Sequence, residues 1–195
     1  MMMRYVFLCL SAVFLLSGCA QSPWDARQPE MTFANFSPVG LNVLKIEVRN
    51  DYNPPMKEPN VEHKFSTPPY VAAENLVKKQ LGAAGIDNVL RAIVKEASVV
   101  REELPTTTGF WGVFTREPAE RLKARVVLRF ELARQQSPDI IIGYVELTAK
   151  RSKTLMEGAS VSDRARAYFD LTEDLMNDLN NGLTSSVKNS FGKSG

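Results

Sequence analysis

Apolar and charged residues alternate most regularly between residues 122 and 132. The apolar positions of this stretch are Leu122, Ala124, Val126, Leu128, Phe130 and Leu132. Arginine, lysine or glutamate lies between them, except at Val127. A period of two residues is typical of a strand with one face in the core and one face in water. Residues 141–149 alternate in the same way after a polar turn at 135–139, so the pattern predicts an antiparallel hairpin.

Upstream of the hairpin, residues 44–48 also alternate and predict a strand. A proline-rich stretch at 50–69 follows, and long loops of this kind tend to be functional or mobile. Thr67 and Pro68 fit a helix N-cap and first-turn proline, apolar residues then recur at helical spacing, and Gly85 is suited to end the helix. Residues 89–104 fit either a helix or a strand, and their β-branched content favours the strand, with a phase shift near Lys95.

A long amphipathic helix is predicted at the C-terminal end of the chain. Ser160 and Asp163 resemble a capping box, and leucines then recur every four residues. A step of four residues drifts around a helix of 3.6 residues per turn, so we expect a bend or break near Asn180–Gly182. The order of elements is then β-α-β-β-β-α. This order predicts an α+β domain in which two helices pack on one face of a mainly antiparallel four-stranded sheet.

The N-terminal segment has the features of a bacterial export signal. Arg4 supplies a positive charge, and residues 5–16 are apolar apart from Ser11. A helix of that length rises about 18 Å, which is too short to span a bilayer core of about 30 Å. Leu16-Ser17-Gly18-Cys19 matches the lipobox of bacterial lipoproteins. We therefore predict a signal peptide at 1–18, a lipidated Cys19 with a tether at 19–40, and one periplasmic domain at 41–195.

Lipid on Cys19 predicts a stable membrane anchor. Each buried methylene contributes about 0.8 kcal/mol, and two or more acyl chains such as palmitate hold a protein firmly on a bilayer. The residue after the cysteine is Ala20 rather than aspartate, which resembles lipoproteins sorted to the outer membrane. We therefore expect a protein of the cell envelope, anchored in the outer membrane and facing the periplasm.

Composition bounds the chemistry that the domain can perform. The formal net charge is only +2, which argues against a nucleic-acid partner. Cys9 lies in the signal peptide and Cys19 is lipidated, so no disulfide is expected. His63 is the only histidine, which excludes zinc sites of the cysteine–histidine type, and no catalytic or phosphate-binding motif is present. We expect no enzyme activity, no metal and no cofactor.

A glycine-flanked aromatic loop is the first candidate contact site. Phe110, Trp111 and Phe114 follow three threonines, in a composition that neither extends a strand nor starts a helix. Loops lie on the surface, and exposed aromatic clusters often mark partner or membrane contacts. The alternative is a loop that folds back and caps the core.

The second candidate is the basic face of the predicted hairpin. Its residues are Arg121, Lys123, Arg125 and Arg129. Such a face could bind phosphates of phospholipid or lipid A. The alternative is a solvated sheet face balanced by neighbouring acids such as Glu131 and Glu146.

The lipobox at Cys19, followed by the order β-α-β-β-β-α, resembles the auxiliary lipoproteins of lipopolysaccharide and lipid transport systems. Residues 97–99, the glycine–aromatic loop and the Ser-x-x-Asp-Arg start of the last helix also resemble an uncharacterised lipoprotein family of Gram-negative bacteria. The resemblance implies a membrane-anchored, non-catalytic binding or assembly partner of an envelope complex. A lipid-binding or lipid-transfer accessory lipoprotein is the alternative.

Overall fold

The computed structural model describes residues 31–105 and 117–192. A four-stranded sheet, a small two-stranded sheet and two long helices form the fold. The strands are β1 (Val39–Leu41), β2 (Lys45–Asn50), β3 (Leu81–Ala83), β4 (Val89–Glu103), β5 (Pro118–Arg134) and β6 (Ser137–Met156). The helices are α1 (Pro69–Gln80), α2 (Val161–Gly182) and α3 (Lys188–Phe191), with a 3-10 turn at Glu62–Lys64 and a π turn at Leu183–Val187.

The large sheet has the strand order β2-β4-β5-β6. The pairs β4–β5 and β5–β6 are antiparallel, and β2 pairs in parallel with β4. A parallel pair needs a crossover connection, which α1 supplies between β2 and β4. The predicted α+β class is confirmed, and the sheet is of mixed orientation rather than purely antiparallel. The small sheet, in which β1 and β3 pair in parallel, was not predicted because three-residue strands carry too little periodicity.

Residues 89–103 form a strand, so the helical alternative for this stretch is wrong. β4 pairs with β2 on one side and β5 on the other. Its register shifts between Val94 and Glu96, near the expected change of phase at Lys95. The shift returns Ala97 and Val99 to the buried face.

The N-terminal boundary of α1 was predicted closely, and its end was not. Pro68 is the N-cap and Pro69 the first helical residue, one position after the expected arrangement. The helix ends at Gln80, well before Gly85. Gly85 instead lies against the backbone of Asn42, where a Cβ atom would come within 2.5 Å. The glycine is therefore required by close backbone packing rather than by helix termination.

The predicted capping box of α2 is confirmed. Ser160 Oγ accepts a hydrogen bond from the Asp163 amide, and the Ser160 amide donates to the Asp163 carboxylate. The regular α-helix ends at Gly182, the expected position, and passes into the π turn. A π turn takes more residues per turn than an α-helix, so the drifting apolar stripe rotates back towards the sheet. Leu183 and Val187 are therefore both buried.

The core lies between one sheet face and the helices. The β5 residues on this face are Leu122, Ala124, Val126, Leu128 and Phe130, which are buried as the alternation predicted. Leu132, the last residue of the predicted row, is only half-buried, because the register shifts between it and Ala133. Phe33 and Phe36, from the segment before β1, stack with ring centroids 6.0 Å apart. Phe33 is buried, and its carbonyl accepts a hydrogen bond from the Gln80 side chain at 3.2 Å. This segment therefore packs against the C-terminal end of α1.

Candidate functional site

Four of the predicted site residues lie outside the described part of the chain. These are Cys19, Phe110, Trp111 and Phe114. The described residues locate the ends of the aromatic loop, because the Leu104 amide donates a hydrogen bond to the Ala119 carbonyl at 2.8 Å. The end of β4 and the start of β5 thus lie together at the end of the sheet opposite the β5–β6 turn.

The structure places the four predicted basic residues together on the outer sheet face, which is the face turned away from the helices. Each of the four also lies within 4 Å of a carboxylate. The pairs are Lys123–Glu102 at 2.8 Å, Arg121–Glu102 at 3.9 Å, Arg125–Glu96 at 3.1 Å and Arg129–Glu131 at 2.7 Å. The hydrogen bond from Lys123 lowers the pKa of Glu102. A phosphate group would have to compete with these carboxylates for the basic residues.

Two of the three acids in these pairs, Glu96 and Glu102, come from β4. The alternation within the hairpin predicted Glu131 as an acid beside the basic residues. The positions of the two β4 acids beside them follow from the register between β4 and β5. Arg129 also places its guanidinium 4.0 Å from the ring centroid of Tyr144 on β6. The outer face therefore carries ion pairs within and between β4 and β5, and an arginine–tyrosine contact from β5 to β6.

Two charged residues of β6 differ from these paired residues. Among the described residues, Glu146 and Lys150 have no ion-pair partner, although both are exposed on the outer face. Lys150 lies opposite Arg125 in the β5–β6 register, which places two positive charges side by side. Like charges directly opposite each other destabilise a sheet.

Strand β6 forms a free edge of the sheet. It pairs with β5 alone among the described strands, over a length of 20 residues. Residues 137–142 are exposed at every position, so no described element covers either face of this part of the strand. Ile140, Ile142 and Tyr144 have 48%, 51% and 60% of their surface exposed. We call residues 137–144 the β6 arm.

The exposure of the β6 arm corrects one sequence interpretation. The alternation over 141–149 implied that Ile141, Val145, Leu147 and Ala149 all face the core. Leu147 and Ala149 are buried, whereas Ile141 is exposed and Val145 is half-buried. The reason is that α2 ends above Leu147, where a Cβ on Gly182 would lie 3.0 Å from the leucine side chain. The run of three isoleucines at 140–142 was the signal available in the sequence.

At the opposite edge of the sheet, a loop extends the short strand β2. β2 is a short strand, and the chain beyond it continues along β4, where Asn60 bridges to Val100. The Arg101 amide donates a hydrogen bond to the Pro59 carbonyl at 2.8 Å. The proline-rich loop thus takes the place of β2 beside the second half of β4, whereas no described strand lies along the outer edge of β6.

A buried carboxylate holds that loop in place. Glu62 is fully buried, and its Oε1 accepts hydrogen bonds from the Tyr52 hydroxyl at 2.7 Å, the Asn60 amide at 2.8 Å and the Val99 backbone at 2.8 Å. Burial, followed by the hydrogen bond to Glu62, raises the pKa of Tyr52. No local sequence pattern predicts this role of Glu62, whose neighbour His63 is exposed.

No helix in 31–105 or 117–192 is long and apolar enough to cross a membrane. In the same ranges, no three side chains of histidine, cysteine, aspartate or glutamate are grouped as metal ligands.

Comparisons with known proteins give matches among solved structures only. No protein-family model and no curated protein matches the chain. It is similar to a minor lipoprotein from Acinetobacter baumannii, with 16% identity and a TM-score of 0.42 over 80% of this chain and 98% of that chain. It is also similar to rare lipoprotein B from Shewanella oneidensis, with 12% identity and a TM-score of 0.38 over 75% of this chain and 95% of that chain. A third similar structure is a protein from Xanthomonas campestris, with 13% identity and a TM-score of 0.38 over 80% of this chain and 91% of that chain. The fold class rests on the sheet topology described above.

Proposed function

We propose that this protein is a lipid-anchored lipoprotein of the outer membrane whose periplasmic domain is a non-catalytic binding or assembly partner of an envelope complex. The lipobox at Cys19 supports the anchor. The open edge of β6, with its exposed apolar arm, is the single observation that supports partner binding.

An open strand edge is a binding surface of known chemistry. Its unpaired backbone amides and carbonyls accept a further strand, and this mode of binding is common in peptide recognition. Natural proteins usually shorten or cover such edges. In this chain the β2 edge is only six residues long, whereas the β6 edge is 20 residues long and exposes Ile140, Ile142 and Tyr144 as apolar area. A protein partner that pairs with β6 would satisfy the backbone and bury these side chains together.

The alternative of lipid binding has weaker geometric support. Lipid phosphates would bind the outer sheet face, where all four predicted basic residues already contact a carboxylate. Binding there would exchange existing ion pairs for new ones and so would gain little free energy. We therefore favour a protein partner and treat lipid as the other outcome of the test.

Photocrosslinking in the native envelope tests the proposal. A photoreactive phenylalanine analogue replaces Ile142 in the full-length chain, and a matched variant carries it at Lys78, an exposed position on α1. We expect a discrete protein adduct from position 142 and none from position 78. Adducts to lipid alone at position 142 would favour the lipid-binding alternative, and the absence of any adduct there would contradict both.

A further inference from the structure

The charges of β6 are arranged symmetrically about one residue. Glu146 and Lys150 each lie two positions from Thr148, so all three side chains point to the outer face. The other basic residues of this part of the strand are already paired with α2, since Arg151 contacts Asp178 at 2.5 Å and Lys153 contacts Asp170 at 3.0 Å. From Tyr144 to Met156 the exposed edge therefore presents one negative and one positive charge, Glu146 and Lys150, without ion-pair partners among the described residues.

We propose that a second copy of this chain binds the open edge, with the two β6 strands antiparallel and Thr148 opposite Thr148 at the two-fold axis. In this register Glu146 lies opposite Lys150 of the second copy, and Lys150 lies opposite Glu146 of the second copy. The inference rests on the proposed partner-binding function, because both use the same edge. It joins the two four-stranded sheets into one continuous sheet.

Self-complementarity is the reason to assign a second copy rather than an unrelated strand. A two-fold interface brings the same patch of both copies together, so it needs opposite charges at equal distances from the axis. Glu146 and Lys150 meet this requirement. Opposite-charge pairs across antiparallel strands stabilise a sheet, and the approach of Glu146 from the second copy also offsets the repulsion between Lys150 and Arg125.

The same register also brings together two further pairs of compatible side chains. On the core side, Leu147 lies opposite Ala149 of the second copy, so the buried apolar row continues across the axis. On the outer side, Tyr144 lies opposite Ser152, which is small and uncharged. The β6 arm extends along the end of the second strand near Met156, another exposed apolar residue.

Disulfide crosslinking of the full-length lipoprotein in its own membrane tests the register. Thr148→Cys introduces a thiol at the proposed axis, and the sequence contains no cysteine after Cys19. Mild oxidation should yield a species of twice the mass that a reductant dissociates. Thr154→Cys is the matched control, because it lies on the same strand face but about 40 Å from its counterpart in the second copy. A lack of product from Thr148→Cys, or equal yields from the two variants, would overturn the inference.

A charge exchange tests the pairing independently. Glu146→Lys and Lys150→Glu, introduced singly into the Thr148→Cys chain, each place like charges opposite each other twice per dimer. Each should weaken self-association by about tenfold and lower the crosslinking yield. The double exchange should restore the yield of the parent. A double variant as weak as the single variants would mean that these residues do not face each other.

The outcomes separate this inference from the proposed function. Crosslinking of Thr148→Cys to a different protein would overturn the proposal that a second copy binds, but it would support a protein partner at the β6 edge. The same conclusion would follow if position 142 captured a foreign protein and Thr148→Cys gave no homodimer. Failure of both experiments would reject both proposals.

Discussion

The backbone amide of Val99 donates a hydrogen bond to the side chain of Glu62 over 2.8 Å. Val99 belongs to β4, just after its register shift, and Glu62 belongs to the proline-rich loop. Beyond the end of β2, a side chain rather than a strand backbone thus accepts this hydrogen bond from β4. A loop that the sequence predicted to be functional or mobile is in this way part of the structural framework.

Removal of the Glu62 carboxylate should destabilise the domain substantially. Glu62→Ala leaves the Tyr52 hydroxyl, the Asn60 amide and the Val99 amide without their shared acceptor, and we expect a loss of about 3 kcal/mol. Glu62→Gln retains the acceptor oxygen and should cost clearly less. Urea unfolding of the chain without residues 1–18 and with Cys19→Ser measures both. Equal stability of the alanine and glutamine variants would contradict this account of the carboxylate.

The ion pair between Glu120 and the first turn of α2 should make the stability of the domain depend on pH. Arg164 donates two hydrogen bonds to Glu120, at 2.7 and 2.8 Å, and they hold the pKa of the Glu120 carboxyl below its ordinary value. A carboxyl whose pKa is lower in the folded state stabilises above its ordinary pKa, and that stabilisation disappears as the pH falls through the folded value. Glu120→Gln should therefore cost about 1 kcal/mol at neutral pH and little once the pH is below the lowered pKa of Glu120 in the folded state. An equal cost at both pH values would contradict the ion-pair explanation.

Leu128→Asp should unfold the domain. Leu128 is 1% exposed on the core face of β5, so the substitution buries a carboxylate at a cost of several kcal/mol, against a typical total stability of about 5–15 kcal/mol. Arg129→Gln changes the next residue, on the outer face, and should be tolerated because the glutamine retains part of the aliphatic stem. Circular dichroism distinguishes the two variants. Similar damage from both would mean that the outer face contributes as much packing as the core face.

Cys19→Ser should abolish lipidation, because a serine hydroxyl cannot form the thioether. We expect the variant to keep its signal peptide and to incorporate no labelled palmitate, whereas the parent chain is labelled. Mass analysis of the N-terminal peptide gives the same answer. Palmitate on the serine variant would contradict the lipobox.

Trp111→Ala tests whether the aromatic loop is a contact site. For a contact site, the substitution should leave unfolding nearly unchanged and weaken recovery of envelope partners, since large aromatic residues dominate interfaces. For a loop that caps the core, it should cost about 3–5 kcal/mol. Trp24 is the only other tryptophan, so a Trp24→Phe background makes the emission specific to Trp111. A blue-shifted, quencher-protected emission would contradict the contact hypothesis.

Local patterns predicted the elements whose determinants are close in sequence. The alternation of β5 located its core face because successive side chains of a strand point to opposite sides. The cap of α2 depends on Ser160 and Asp163, three residues apart, and was likewise visible. The change of phase at Lys95 indicated the irregularity of β4, and the lipobox is a linear signal that needs no fold.

Other features were decided by distances and pairings between remote segments. The register between β4 and β5 decides which acids pair with the basic residues of the outer face. The role of Glu62 depends on its hydrogen bond with Val99, which is 37 residues away in the sequence. The open half of β6 follows from the point at which α2 ends above Leu147, a relation between the lengths of two elements. Periodicity reports which side chains share a face of one element. It cannot report whether another element covers that face, and for this reason only the tertiary structure identified the β6 edge.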